Sequence, residues 1–204
     1  HSRPSTSPST ADSPSAAGNS HNTRYTSRWT DPRAEAKRRR GGWIYSIDPA
    51  FDPAGEVPGW GIIGGWQVDH HGALVRFWHN PNYRPSPQAR GWPPPQNPLE
   101  NALYGAASGY GGEEELLTAL RDAQLLLFAQ PGAANLYTLP GSDGRDVLEA
   151  CTSPQYVPRH WPGHILLTGQ QLAEMTVGLD LRLNPGSRVS VTLPLDDLQQ
   201  SLRG

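Results

Sequence analysis

Between Pro81 and Pro98 the chain carries seven prolines, and this run limits the possible folds more than any other stretch. A proline lacks a backbone N–H and holds φ near about −65°, so the segment can neither continue a helix nor lie inside a sheet. It predicts an extended strap over a surface, pinned by Tyr83 and Trp92. Pro93-Pro94-Pro95 could be a ligand for aromatic grooves, but the reading taken is a rigid connector.

Upstream of the strap, Trp43-Ile44-Tyr45-Ser46-Ile47 alternates with period two and predicts a first strand ended by Asp48-Pro49. A polar, Pro-rich loop follows to Pro58. Trp60, Ile62, Trp66 and Val68 are expected on one face of the next strand, with Gly64 between them. Asp69-His70-His71-Gly72 reads as a reversal, and Ala73 to His79 returns with Val75 and Phe77 opposed to Leu74 and Trp78, a hairpin. Ahead of these strands, residues 1–27 are rich in Ser, Pro, Thr and Ala and too poor in apolar side chains to offset the entropy of ordering. Residues 29–40 are transitional, with a helical turn expected at Ala34 to Lys37 before Arg38-Arg39-Arg40. The net charge of −2 from 17 basic and 19 acidic residues hides an asymmetry. Residues 1–40 hold eight basic against three acidic side chains, leaving nine against sixteen for the rest. A basic tail precedes an acidic body, and the tail could touch nucleic acid, anionic lipid or the body itself.

Downstream, Asn97-Pro98 offers a cap and a first-turn proline, with Glu100 placed to reach back to the cap. Leu99, Leu103 and Ala106 recur at helical spacing. Gly109 to Gly112 breaks that helix, and Glu113-Glu114-Glu115 opens another with Leu116, Leu120 and Ala123 on its apolar side. Strands are expected at Leu125 to Phe128, at Leu136 to Leu139, through Val147 to Cys151, and at Ile165 to Leu167. Ser153-Pro154 should cap one helical turn, and Thr168 to Gln171 has capping-box spacing for a helix through Leu172 and Met175. Leu179, Leu181 and Leu183 alternate, Asn184-Pro185-Gly186 turns, Val189, Val191 and Leu193 alternate, and Pro194 starts a helix with Leu195, Leu198 and Leu202 on one side. The pattern predicts α+β, a mixed or antiparallel sheet with flanking helices preceded by a disordered N-terminal tail. The organisation expected is a basic tail over 1–40, an aromatic hairpin block with its strap over 41–96, and an α+β domain over 97–204 packed with that block as one unit.

No motif of demanding spacing carries chemistry. Gly59-Trp60-Gly61-Ile62-Ile63-Gly64 has the spacing of a dinucleotide fingerprint, but no strand precedes it and an alternating strand, not a helix, follows. His70 and His71 beside Asp69 could ligate a metal, although adjacent strand side chains point apart; His79 has no ligand spacing. Cys151 could act as a nucleophile with His160 or His164 as base and Asp146 or Glu149 as the orienting acid, or be a small core residue. Ser153 lacks the glycines of a nucleophile elbow. The reading assigns no catalytic residue, no metal ligand and no cofactor. It takes Trp60, Trp66, Trp78, Tyr83, Arg84 and Trp92 as candidates for a protein-binding surface. As the sole cysteine, Cys151 excludes an intrachain disulfide, and a cytoplasmic protein is the default expectation.

Two blocks carry a family resemblance. Trp43 with Asp48-Pro49, Pro58-Gly59-Trp60, Gly64-Gly65-Trp66, Asp69, Gly72, Asn80, Tyr83-Arg84-Pro85-Ser86-Pro87 and Gly91-Trp92-Pro93 resembles the N-terminal half of type VII secretion system-associated proteins of high-GC Gram-positive bacteria. From Asn97 onward the helix pair, the Leu125 to Phe128 strand, Thr152-Ser153-Pro154 and Asn184-Pro185 resemble the SseB-like domain, with Cys151 standing where an aromatic residue usually precedes the Thr-Ser pair. The resemblance implies a cytoplasmic accessory protein linked to a type VII secretion system, and the function expected is that of a non-enzymatic adaptor or chaperone-like factor that binds a secretion component or substrate. A small Cys- or metal-dependent hydrolase and a nucleic-acid or membrane-surface binder working through the tail are the alternatives from other classes.

Overall fold

The computed structural model of the protein describes residues 25–27, 31–38, 40–133 and 135–203. The expectation of a disordered tail lies outside the described residues at 1–24, 28–30 and 39. The described residues form an α+β structure, with the chain dividing into two compact units between Tyr83 and Arg84. The strap from Arg84 onward thus belongs with the second unit.

In the first unit a four-stranded sheet has the order β1 (Tyr25–Ser27), β2 (Gly42–Ile47), β3 (Ile62–Val68), β4 (Leu74–His79). The last two pairings are antiparallel as the hairpin pattern requires. β1 runs parallel to β2 and was not foreseen, because three residues of a Ser- and Thr-rich stretch carry no period to read. Helix α1 (Pro32–Arg38) forms where the helical turn was expected, with Pro32 in its first turn and the Asp31 carboxylate accepting from the Arg33 N–H at 2.9 Å. Its one buried side chain, Ala36, packs against Ile44 and Val68.

The register separates the aromatic side chains. Ile44, Trp66 and Phe77 stand in one row across β2, β3 and β4, whereas Tyr45, Gly65 and Trp78 stand in another, one residue on and therefore on the opposite face. Glycines make room for this crowding. A Cβ on Gly64 would sit 2.3 Å from the Trp78 carbonyl oxygen and 2.5 Å from the Phe77 ring, and one on Gly65 would sit 3.0 Å from Tyr45 and 3.2 Å from Trp43. The Asp69 carboxylate fixes the hairpin end by accepting from the His71 and Ala73 N–H groups at 2.8 Å each, and Gly72 supplies the positive φ. Trp60 departs from the expected strand face. It lies in a 3-10 turn over Gly59–Gly61, closed by the Gly61 N–H to the Pro58 carbonyl at 2.8 Å, and its ring meets Phe51 edge-on at 5.4 Å.

The second unit is built on a mixed six-stranded sheet of order β10 (Val191–Pro194), β9 (Asp180–Leu183), β7 (Asp146–Cys151), β5 (Gln124–Phe128), β8 (His164–Thr168), with β6 (Thr138–Pro140) also paired to β7. Only β7 and β9 are parallel. Leu125, Leu127, Leu148, Ala150, Leu181 and Leu183 form one core with residues of α2 (Pro98–Ser108), α3 (Glu113–Asp122), α4 (Gly169–Met175) and α5 (Leu195–Ser201). The helix signals act as the sequence implies. Asn97 caps α2 through the Glu100 N–H, Gly109 ends it at φ 77°, and Thr168 with Gln171 forms a complete capping box on α4. Three expectations shift. The strand expected from Leu136 covers only 138–140, because Leu136 lies outside the β7 ladder. Met175 is 62% exposed, since the seven-residue α4 buries Leu172 and Ala173 and ends before a second apolar turn is needed. Pro194 closes β10 and precedes α5 instead of starting it.

Arg145 fastens the far end of this sheet, with Nε 2.9 Å from Asp180 and a terminal nitrogen 2.9 Å from Asp196. The arginine and the Gly178 N–H hold the Asp196 carboxyl below its usual range, so its contribution is present at neutral pH and lost as pH falls through that lowered value.

Overpacking a tight sheet costs about 1–3 kcal/mol, so Gly64→Ala should lower the urea midpoint of the first unit clearly. Gly59→Ala, where a Cβ would meet nothing within 4 Å, should leave it nearly unchanged. Tryptophan fluorescence measures both, since Trp43, Trp60, Trp66 and Trp78 all lie in this unit.

Candidate functional site

The six candidate surface residues divide between the units, with Trp60, Trp66, Trp78 and Tyr83 in the first and Arg84 and Trp92 in the second. Trp66 and Trp78 occupy opposite faces of the hairpin. All four tryptophans are half-buried. Trp66 packs on Phe77 with centroids 4.9 Å apart, and it also lines a cavity of about 750 Å³ together with Asp31, with Arg33 and Lys37 of α1 and with Leu74. On the far face Trp43 and Tyr45 stack beside Gly65, and the Arg76 guanidinium lies 5.8 Å over the Trp43 ring. The Tyr83 hydroxyl donates to the Asp48 carboxylate at 2.8 Å, and Asp48 is itself buried. Tyr83 thus pins the chain as expected, through a hydrogen bond within the first unit.

The strap holds a feature that proline counting does not show. Buried Ser86 accepts the Ala89 N–H on its hydroxyl and the Arg90 N–H on its carbonyl, folding 87–91 into a compact turn that Gly91 closes at φ 70°. The Trp92 N–H donates to the Pro87 carbonyl at 3.0 Å. The Trp92 ring then meets Tyr104 edge-on at 5.5 Å, with the Arg90 guanidinium 5.4 Å above it. Exposed Arg84 is held by its carbonyl, which accepts the Tyr110 hydroxyl at 2.8 Å.

A buried polar node, not singled out from the sequence, lies where β7 ends. Glu100, wholly buried in the first turn of α2, accepts the Gln96 N–H at 2.8 Å, the Thr152 hydroxyl at 2.9 Å and the Gln155 amide at 3.1 Å. Glu100 therefore reaches one residue behind the cap, not to the cap itself. The Thr152 N–H donates to Asn184 Oδ1 at 2.9 Å, and the Asn97 amide donates to the Thr152 carbonyl at 2.8 Å. Asn184 turns the chain after β9 at φ 51°. The Tyr104 and Tyr156 hydroxyls hydrogen-bond to each other, and burial raises both phenols above their ordinary value. Ser153 does not cap its turn as expected; it is buried and its hydroxyl has no hydrogen-bond partner among the described residues.

The candidate chemical groups do not assemble. Cys151 is fully buried, its thiol directed at the Tyr156 carbonyl at 3.3 Å. Burial, with a contribution from the Glu149 carboxylate, pushes that thiol up to about 12. Glu149 is instead paired with Arg182 at 3.3 Å. His70 and His71 are exposed with their rings edge-on 5.8 Å apart. Among the described residues no cluster of three or more His, Cys, Asp or Glu could hold a metal, and no helix is long and apolar enough to cross a membrane.

The second unit is thus an α+β domain whose helix pair is clamped to its sheet through Glu100, Thr152 and Asn184. The family model for the SseB protein N-terminal domain matches residues 99–200, half of the chain, and the chain belongs to this family. No curated protein and no solved structure matches it.

Removing a hydroxyl from a buried network costs about 1–3 kcal/mol, so Thr152→Val should destabilise the second unit by that order in urea unfolding. A rise from 9.0 to about 12 cuts the thiolate fraction near pH 8 by about a thousandfold. Cys151 should therefore resist a disulfide reagent in the native protein and react at the rate of unfolding.

Proposed function

We propose that this protein is a non-enzymatic accessory factor of a type VII secretion system, an adaptor or chaperone-like protein that acts in the cytoplasm by binding another protein. Membership of the SseB family, not a known enzyme family, supports the accessory role. The secretion link rests on the resemblance of the Tyr83 to Pro87 and Gly91 to Pro93 pieces.

The observation that carries the binding reading is the cavity beside α1, lined by half-buried Trp66 together with Asp31, Arg33 and Lys37. Aromatic side chains at the wall of a concave site are the usual anchors of a protein interface, because they exclude much water for little lost rotamer entropy. Two cations against the one carboxylate of Asp31 in the lining favour a partner segment that places an acidic residue beside an apolar one. The cysteine hydrolase alternative loses support, since a buried thiol with a pKa of about 12 supplies almost no thiolate at neutral pH.

Affinity capture on the full chain from cells carrying a type VII system tests this. Secretion components should be retained by the native protein and by Gly59→Ala. They should be lost with Trp66→Ala and weakened in a salt-dependent way with Lys37→Glu, an exposed change that spares the fold. Capture of no secretion component, or equal capture by all variants, overturns the reading.

A further inference from the structure

We infer that the second unit carries a separate binding site for an arginine side chain presented by a protein partner. The site is a cavity of about 490 Å³ lined by Pro87 and Pro95 of the strap, Asn101 and Tyr104 of α2, Tyr110 between the helices and Glu115 of α3.

Its floor is backbone. The Tyr110 and Gly111 N–H groups both donate to the Gly105 carbonyl, at 2.9 and 3.0 Å, drawing the interhelical loop onto α2. A Cβ on Gly105 would then lie 3.4 Å from Gly111, and one on Gly111 would lie 2.9 Å from the Glu115 carboxylate. Two glycines therefore let the loop and the Glu115 carboxylate approach α2 more closely than side chains would allow. The lining includes Pro87, Pro95 and half-buried Tyr110, while Tyr104 is only 2% exposed, and both tyrosine hydroxyls are already bonded elsewhere, to Tyr156 and to the Arg84 carbonyl. The one formal charge lining the cavity is that of Glu115, which is exposed and has no ion-pair or hydrogen-bond partner among the described residues.

Flat π and proline surfaces around one unpaired carboxylate select a cation. The N-terminus of α3 contributes only about +0.5 of an elementary charge, against the three carboxylates Glu113, Glu114 and Glu115, so the local field stays negative and an anionic ligand is disfavoured. A guanidinium fits better than an ammonium. It is planar, weakly hydrated, stacks on tyrosine and binds a carboxylate with two parallel N–H groups. The protein's own nearby Arg90 is engaged over Trp92 and with the Pro85 carbonyl at 3.1 Å. The volume lies in the range of small-ligand pockets, about 300–1,000 Å³, enough for one arginine side chain and its flanking backbone. The surplus of acidic over basic residues after residue 40 steers a cationic segment toward this body.

The test uses the full chain, isotope-labelled, titrated at low salt with N-acetyl-arginine amide and separately with its neutral isostere N-acetyl-citrulline amide. Saturable shifts of the Gly105, Tyr110, Gly111 and Glu115 amide resonances are expected with arginine and not with citrulline. Glu115→Gln should weaken arginine binding about tenfold or more, the size expected for loss of a charge-assisted pair. Gly111→Ala should weaken it by displacing the Glu115 carboxylate, which a Cβ there would meet at 2.9 Å. Glu174→Gln, an exposed change on α4, should leave it intact and serves as the control for nonspecific charge effects. Shifts absent from these four residues, equal shifts with citrulline, or undiminished binding by a Glu115→Gln variant whose spectrum remains dispersed would overturn the assignment. The residues involved are distinct from those of the Trp66 cavity, so either site can fail without the other.

Discussion

A buried carboxylate organises the second unit. Glu100 is wholly enclosed, and an ionisable group taken out of water without partners would cost several kcal/mol. Among the described residues no basic side chain answers it; its partners are a backbone N–H from the strap, a hydroxyl from the end of β7 and an amide from the following turn. Charge-assisted hydrogen bonds of this kind are shorter and stronger than neutral ones. They bring together three segments far apart in sequence, and Thr152 extends the connection to the turn after β9 through Asn184. The helix pair and the sheet share a core of leucines that would tolerate several registers, whereas this node tolerates one.

The Thr152 hydroxyl lies 2.9 Å from Glu100 and 3.0 Å from Asn184 Oδ1 but has a single proton to give. The carboxylate is the better acceptor, and the Thr152 N–H then satisfies the Asn184 oxygen. The Asn184 amide nitrogen is buried and has no hydrogen-bond partner among the described residues. The left-handed backbone of Asn184 and its unused donor mark this turn as a place where local energy is given up to fix global position.

In the first unit the same problem of specifying one arrangement is solved without buried charge. Aromatic rings crowd both faces of the hairpin, and Gly64 and Gly65 are the only small residues in the middle of β3 that let them do so. A one-residue slip of register would exchange the faces and drive rings into backbone. The side chains that define the sheet also leave Trp66 at a cavity wall, so the candidate binding surface is a by-product of how the sheet is packed.

The sequence by itself determined the local elements: the hairpin from its alternation and Asp69 to Gly72 turn, α2 from Asn97-Pro98 and Gly109, and α4 from Thr168 and Gln171. These signals are short-range, because capping and turn chemistry act within about four residues. The strap was legible as proline geometry, but the turn on Ser86 was not, since it depends on one serine being buried. Tertiary structure decided the rest. It divided the six candidate aromatic and arginine residues between two units, turned Trp60 out of its strand onto Phe51, buried Cys151 beyond chemistry, and converted Glu100 from a cap residue into the centre of a network. Most of those outcomes rest on contacts beyond the reach of capping and turn chemistry, nine residues for Trp60 on Phe51 and more than fifty for Glu100 with Thr152, and no local period records which partner a side chain will meet.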